Sequence, residues 1–233
     1  MAKWLLLLLS SSLLFGDQWN TIYLTSFPRS GNHWVRFLVE EATHIATSSI
    51  YRDRNFTHLP DMFPWGGFCT DHGYTHQCRY PTIEDPILLK THYPFHPKKI
   101  DLESKRAICL IRHPIDAFSS FYIFKGGIPG TRIGKKKVKE LIARWKGFYE
   151  FWLNQPNVLF IRYEDLHANT PFYLRSILET AGFSFHEQDI ERAVMKYPPQ
   201  GMVLKHIHSY QPEDIAMIKE QLSEFLIRFG YEI

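Results

Sequence analysis

Three short segments hold side chains whose types and spacing could seat an anion and move a proton. The first is Phe27-Pro28-Arg29-Ser30-Gly31-Asn32-His33-Trp34. A β-prone run ends there in a turn opened by proline and containing glycine, and an amphipathic helical pattern follows at once. Such a junction aims backbone N–H groups and a helix N-terminus at one point, which makes a seat for an anion. Arg29 stands in that turn and brings a planar, permanently charged fork. The second segment is Leu88-Leu89-Lys90-Thr91-His92-Tyr93-Pro94, a strand exit in which Lys90 and His92 alternate by two. They share a side for as long as the chain stays extended. A neighbouring lysine lowers an imidazole's affinity for protons, which suits a general base near neutral pH. In the third segment a strand ends at Arg112 and a helix begins at Pro114. Arg112 can grip a phosphate with two parallel hydrogen bonds, and Ser120, about two turns along, supplies a hydroxyl.

Elements must carry these residues to one place. Near-continuous apolar runs at 21–25, 87–90, 107–111 and 158–161 read as strands buried on both faces. Helical periodicity occupies 33–43, 114–124, 136–153, 171–181, 186–195 and 212–229. Pro114, Pro171 and Pro212 sit where a first-turn proline is tolerated, and Gly182 and Gly230 read as helix stops. Strands alternating with helices predict an α/β domain in three layers, a mostly parallel central sheet flanked by helices. Residues 48–85 break the rhythm. They are rich in aromatics (Tyr51, Phe56, Phe63, Trp65, Phe68, Tyr74, Tyr80) and read as a lid-like insertion without regular structure.

Composition narrows the function classes. A formal charge of +3 over 233 residues is too mild for a nucleic-acid binder, and Lys135-Lys136-Lys137 reads as a solvated helix start. The Arg29 turn is not a Walker A loop. Its leading glycine is replaced by Thr25 or Ser26, and Asn32-His33 stands where Lys-Ser/Thr would be, which argues against magnesium-dependent ATP chemistry.

Residues 1–16 pair Lys3 with a leucine-rich stretch of signal-peptide length, so they read as a signal peptide or a short signal anchor. Membrane contact is expected only through that segment. Entry into the secretory pathway, with residence in the Golgi lumen or secretion, follows as the expected location. Asn55-Phe56-Thr57 is a glycosylation acceptor triplet of luminal proteins. Cys69 and Cys78 bracket a short loop; a disulfide there would contribute about 2.5–3 kcal/mol, and a zinc site with His72 and His76 is the alternative, at a spacing that fits no common framework. Cys109 reads as an inert core thiol.

Taken in order, the motifs resemble those of sulfotransferases that use 3′-phosphoadenosine 5′-phosphosulfate (PAPS), and 17–233 is then a sulfotransferase domain with a P-loop-like fold. The Arg29 turn resembles that family's phosphosulfate loop, with Asn32 and His33 departing from it. Lys90-Thr91-His92 matches its catalytic segment, Arg112 with Ser120 its 3′-phosphate element, and Tyr163-Glu164-Asp165-Leu166 its adenine-side strand exit. The Asn32-containing loop, Glu41-Ala42-Thr43 and Ser49-Ile50-Tyr51 are most similar to the sulfotransferase domains of WSC-domain proteins.

This resemblance implies sulfuryl transfer to a hydroxyl or amine, with His92 as base and Arg29 and Lys90 stabilising charge. It further implies cofactor contacts from Arg29, Ser30, Gly31, Asn32, His33, Trp34, Arg112, Ser120 and Tyr163, and no catalytic metal. The C-terminal segment that completes the family's 3′-phosphate site is missing, and Lys205 is the expected substitute. The acceptor is expected to be a glycan or secreted small molecule. An inactive secreted relative that binds sulfated or phosphorylated ligands is the alternative.

Overall fold

Apolar runs without polar interruption are stable as strands only where both faces are covered, and such runs form the centre of the molecule. The computed structural model describes residues 20–51, 78–79, 81–96, 100, 106–199 and 207–232. Within it β1 (Asn20–Ser26), β2 (Ser48–Ser49), β3 (Pro86–Thr91), β4 (Arg106–Ile111) and β5 (Val158–Arg162) form a five-stranded sheet in the order β2-β3-β1-β4-β5. Every neighbouring pair is parallel.

Around the sheet lie α1 (Asn32–Thr43), α2 (Pro114–Phe124), α3 (Lys135–Leu153), α4 (Tyr163–Ala168), α5 (Thr170–Ala181), α6 (Glu187–Lys196), α7 (Pro212–Gln221) and α8 (Ser223–Arg228). Alternation along the strands sorts them into two layers. Ile22, Leu24, Ile108 and Leu110 pack with α1, α5 and α6. Tyr23, Ala107, Cys109 and Ile111 pack with α2, α3, α7 and α8. The helix after β1 and the helix after β4 therefore leave adjacent strands toward opposite faces. A crevice opens at the C-terminal ends of such strands, where open α/β sheets bind ligands.

Most elements fall where the sequence places them, and the differences are local. Ser48–Ser49, read as the start of an irregular insertion, adds an edge strand paired with Leu89 and Lys90. Helix α4 follows β5 without a linker and is too short to show a hydrophobic period. The pattern expected as one helix over 212–229 is two, because Leu222 (φ −111°, ψ 9°) ends α7 and opens α8 while staying fully buried. Cys109 is also fully buried, and burial pushes its thiol well up. Residues 1–16, Asn55, Cys69, His72, His76 and Lys205 lie outside the described residues.

Trp145 anchors the second layer, fully buried, with Tyr149 at 4.4 Å and Phe225 at 5.9 Å between ring centroids. Its Nε1 is buried without a hydrogen-bond partner among the described residues, so its contribution is one of packing. Trp145→Ala should lower stability by about 3–5 kcal/mol in urea denaturation, and Trp145→Phe by clearly less.

Candidate active site

The turn after β1 is held in an unusual backbone shape. Arg29 has φ 69° and Gly31 φ 98°, both in the left-handed region. For arginine that conformation costs about 1–2 kcal/mol, so other bonds must hold it. Arg112 Nη1 donates to the Arg29 carbonyl at 3.0 Å, and Arg29 Nε donates to Ser120 Oγ at 3.2 Å. At Gly31 a Cβ would lie 2.6 Å from Tyr163 Cδ2, so the tyrosine ring rests directly on the bare backbone. Asn32 opens α1, and its Nδ2 donates to Ser26 Oγ at 3.0 Å, stapling the turn across its base. Trp34 Nε1 donates to the Tyr197 carbonyl at 2.9 Å, and its ring meets Tyr163 edge-on at 5.8 Å.

The exit of β3 supplies Lys90 and His92. Lys90 Nζ donates to His33 Nε2 at 3.0 Å, which gives the unusual histidine of the turn a partner. His92 Nδ1 bonds the Ser26 carbonyl at 2.7 Å. A carbonyl only accepts, so the proton sits on Nδ1 and the neutral ring keeps its lone pair on Nε2. Burial, and then the Lys90 charge, hold the His92 pKa well below 6.5. His96 follows one short turn later, its backbone N–H bonding the His92 carbonyl at 3.1 Å. Burial, Lys125 and Arg144 lower its proton affinity as well.

The exit of β4 supplies Arg112. Its guanidinium stacks 4.5 Å from the Tyr163 ring centroid, and Nη2 lies 3.7 Å from the buried Asp116 carboxylate. Arg112 Nε is buried with no partner among the described residues. Behind this turn, Glu164 accepts the His113 backbone N–H at 2.9 Å and the Tyr231 hydroxyl at 2.8 Å. The β4 exit is thereby tied to α4 and to the last residues of the chain.

Arg29, Gly31, Asn32, His33, Trp34, Lys90, His92, Arg112, Ser120 and Tyr163 line one cavity of about 630 Å³. Ser30 is the exception: between two left-handed residues it is fully buried and lies off the cavity wall. Pro28, Tyr51, His96, Phe121 and Phe124 complete the lining among the described residues. The sequence marks Tyr51 as an aromatic of the insertion and as part of the Ser49-Ile50-Tyr51 similarity, without a role in the site, and it does not single out His96. Its separation from His92 by a single proline-containing turn was the available signal. Among the described residues no carboxylate lines the cavity, while Arg29, Lys90 and Arg112 do. Close cations in a poorly solvated cleft repel one another, and burial and Arg112 both lower the Arg29 pKa. A multiply charged anion relieves that repulsion.

The structure is thus a parallel α/β sheet with a cationic, imidazole-bearing cavity at its switch point, an arrangement suited to anions. Residues 20–202 match the sulfotransferase domain, and the chain belongs to that family. The protein named WSCD family member CG9164 of Drosophila melanogaster is 28% identical over 221 residues, covering 89% of this chain and 64% of that protein. Sulfotransferase 6B1 of Mus musculus is 26% identical over 186 residues, covering 73% of this chain and 57% of that protein. The chain therefore spans less than two thirds of the length of either relative. Among solved structures, mouse sulfotransferase SULT7A1 complexed with PAP superposes with a TM-score of 0.58 at 17% identity, over 89% of this chain and 84% of that one. At that identity the likeness shows the fold, the P-loop-like sheet of sulfotransferases.

Two outcomes follow from this geometry. Gly31→Ala places a methyl against Tyr163 at a left-handed position and should cost about 1–2 kcal/mol in urea denaturation. His113, whose Nδ1 accepts the Ile115 N–H at 3.3 Å, is pushed down to about 4, chiefly by burial. The unfolded chain then takes up the proton first. Its contribution to stability is complete above pH 6.5 and falls by about 3 kcal/mol as pH drops toward 4. Thermal melts over that range should be steeper in pH for the wild type than for His113→Asn.

Proposed function

We propose that this protein transfers a sulfuryl group from PAPS to a hydroxyl or amine of an acceptor, with His92 as the general base. The observation that carries the reading is the convergence of Arg29, Lys90, Arg112 and His92 on one cavity. PAPS, when bound, supplies the activated sulfuryl group and a doubly phosphorylated nucleotide leaving group. The residues suit it. The buried Arg112 Nε lacks a partner among the described residues, and the Gly31 backbone under the Tyr163 ring makes a shelf that a Cβ would fill.

In this reading Arg112 and Ser120 hold the 3′-phosphate, and Trp34 and Tyr163 flank the adenine. The turn from Arg29 to His33, with Gly31 and Asn32 and the first turn of α1, holds the 5′-phosphate through its N–H groups. Arg29 and Lys90 set cations at the transferring end, a preorganised arrangement that acts without reorienting solvent. His92 Nε2 takes the acceptor's proton while the Ser26 carbonyl holds Nδ1–H and steadies the imidazolium that forms. Its lowered pKa keeps the base neutral and ready at physiological pH. The acceptor is a glycan or secreted small molecule met in the secretory pathway, reached through the leader-like N-terminal residues.

Calorimetric titration with adenosine 3′,5′-bisphosphate, followed by transfer from ³⁵S-labelled PAPS to an acceptor panel, tests the proposal. His92→Ala should lower turnover about 10²–10⁴-fold with nucleotide affinity intact, and full turnover would remove His92 from the mechanism. Arg112→Ala should weaken nucleotide binding about 10- to 100-fold. Nucleotide binding with no transfer to any acceptor would favour the ligand-binding alternative. The acid limb of kcat should lie below pH 6.5 and move upward in Lys90→Ala, because a cation that disfavours protonated His92 is gone.

A further inference from the structure

The edge strand β2 is two residues long, yet it reaches the centre of the site. Ser48 and Ser49 stand in register with Leu89 and Lys90, and the Ile50 N–H donates to the Lys90 carbonyl at 3.1 Å. Tyr51 comes next, its own N–H held by Ser49 Oγ at 3.2 Å. Its hydroxyl oxygen accepts the His92 backbone N–H at 2.8 Å. Its ring stacks on the His92 imidazole, with centroids 5.7 Å apart and planes 24° from parallel. Lys90 Nζ lies 5.9 Å from the same ring centroid, and His96 meets that ring edge-on at 5.6 Å.

One hydrogen bond does not orient an imidazole. With Nδ1 bound to the Ser26 carbonyl, the ring can still swing about the N–H···O axis. A parallel aromatic face removes that freedom, and the bond to the His92 main chain fixes where the side chain starts. We propose that Tyr51 is a positioning residue for His92, locking its imidazole by ring stacking and its main chain by a hydrogen bond to the phenol oxygen. The inference rests on the reading of His92 as the base. Lys90, His33 and His96 are the titratable groups that act on His92 electrostatically. Tyr51 covers a further face with an uncharged ring, and burial raises its own phenol pKa. Removing the ring admits water to that face.

The test reads His92 directly, by ¹⁵N NMR titration of its ring nitrogens in the nucleotide-free protein, beside kcat and nucleotide affinity. Tyr51→Phe keeps the stack, so the His92 midpoint should stay at the wild-type value and kcat fall by less than about 10-fold. Tyr51→Leu removes it. There the midpoint should rise toward 6.5 and kcat fall about 10- to 100-fold, with affinity for adenosine 3′,5′-bisphosphate within about twofold of wild type. Tyr51→Met, of adaptable shape, decides the matter if the leucine variant does not fold. A leucine or methionine variant with wild-type midpoint and kcat overturns the proposal. So does an equal loss in Tyr51→Phe and Tyr51→Leu with the midpoint unmoved. Absence of sulfuryl transfer by the wild type would sink the functional reading alone, since the titration still decides whether Tyr51 holds His92.

Discussion

One hydrogen bond, from Arg112 to the carbonyl of Arg29, joins the exits of two adjacent strands and makes a single site of them. It stabilises a backbone shape that arginine does not otherwise favour, and it sets two guanidinium groups side by side. That proximity carries an electrostatic cost, which together with burial lowers the Arg29 pKa. The Tyr163 ring under Arg112 and the Asp116 carboxylate offset part of it. The rest is relieved when negative charge enters the cavity. Cations assembled by the fold before any ligand arrives would meet an anion without rearrangement, which is what preorganisation means in physical terms.

The same cations govern His92. An imidazole in that field resists protonation, and the nearby Lys90 ammonium adds to the burial that already disfavours a charge. A single carbonyl, that of Ser26, decides the tautomer. Ser26 also accepts the Asn32 amide through its hydroxyl, so one residue at the end of β1 supports the turn and the imidazole together.

Two residues that depart from the family's loop pattern thus have local reasons. Asn32 bridges to Ser26 and closes the base of the turn. His33 accepts from Lys90 and holds that ammonium at the cavity wall. On the far side, Glu164 joins the β4 exit to Tyr231, so the residues following α8 brace the turn that carries Arg112.

The sequence alone determined the fold class and the three cationic strand exits, because period and punctuation are local properties. Apolar runs between turn residues announced the parallel strands, and proline and glycine marked several helix ends. The short helix Tyr163–Ala168 and the strand Ser48–Ser49 left no such mark, being too brief for a period to show. The tertiary structure decided what depends on contacts between distant segments: the left-handed Arg29, the partners of Asn32 and His33, the burial of Ser30, and the place of Tyr51 against His92. Periodicity says which face of an element is covered. It carries no information about which remote side chain will cover it, and the chemistry of a site is settled by that second choice.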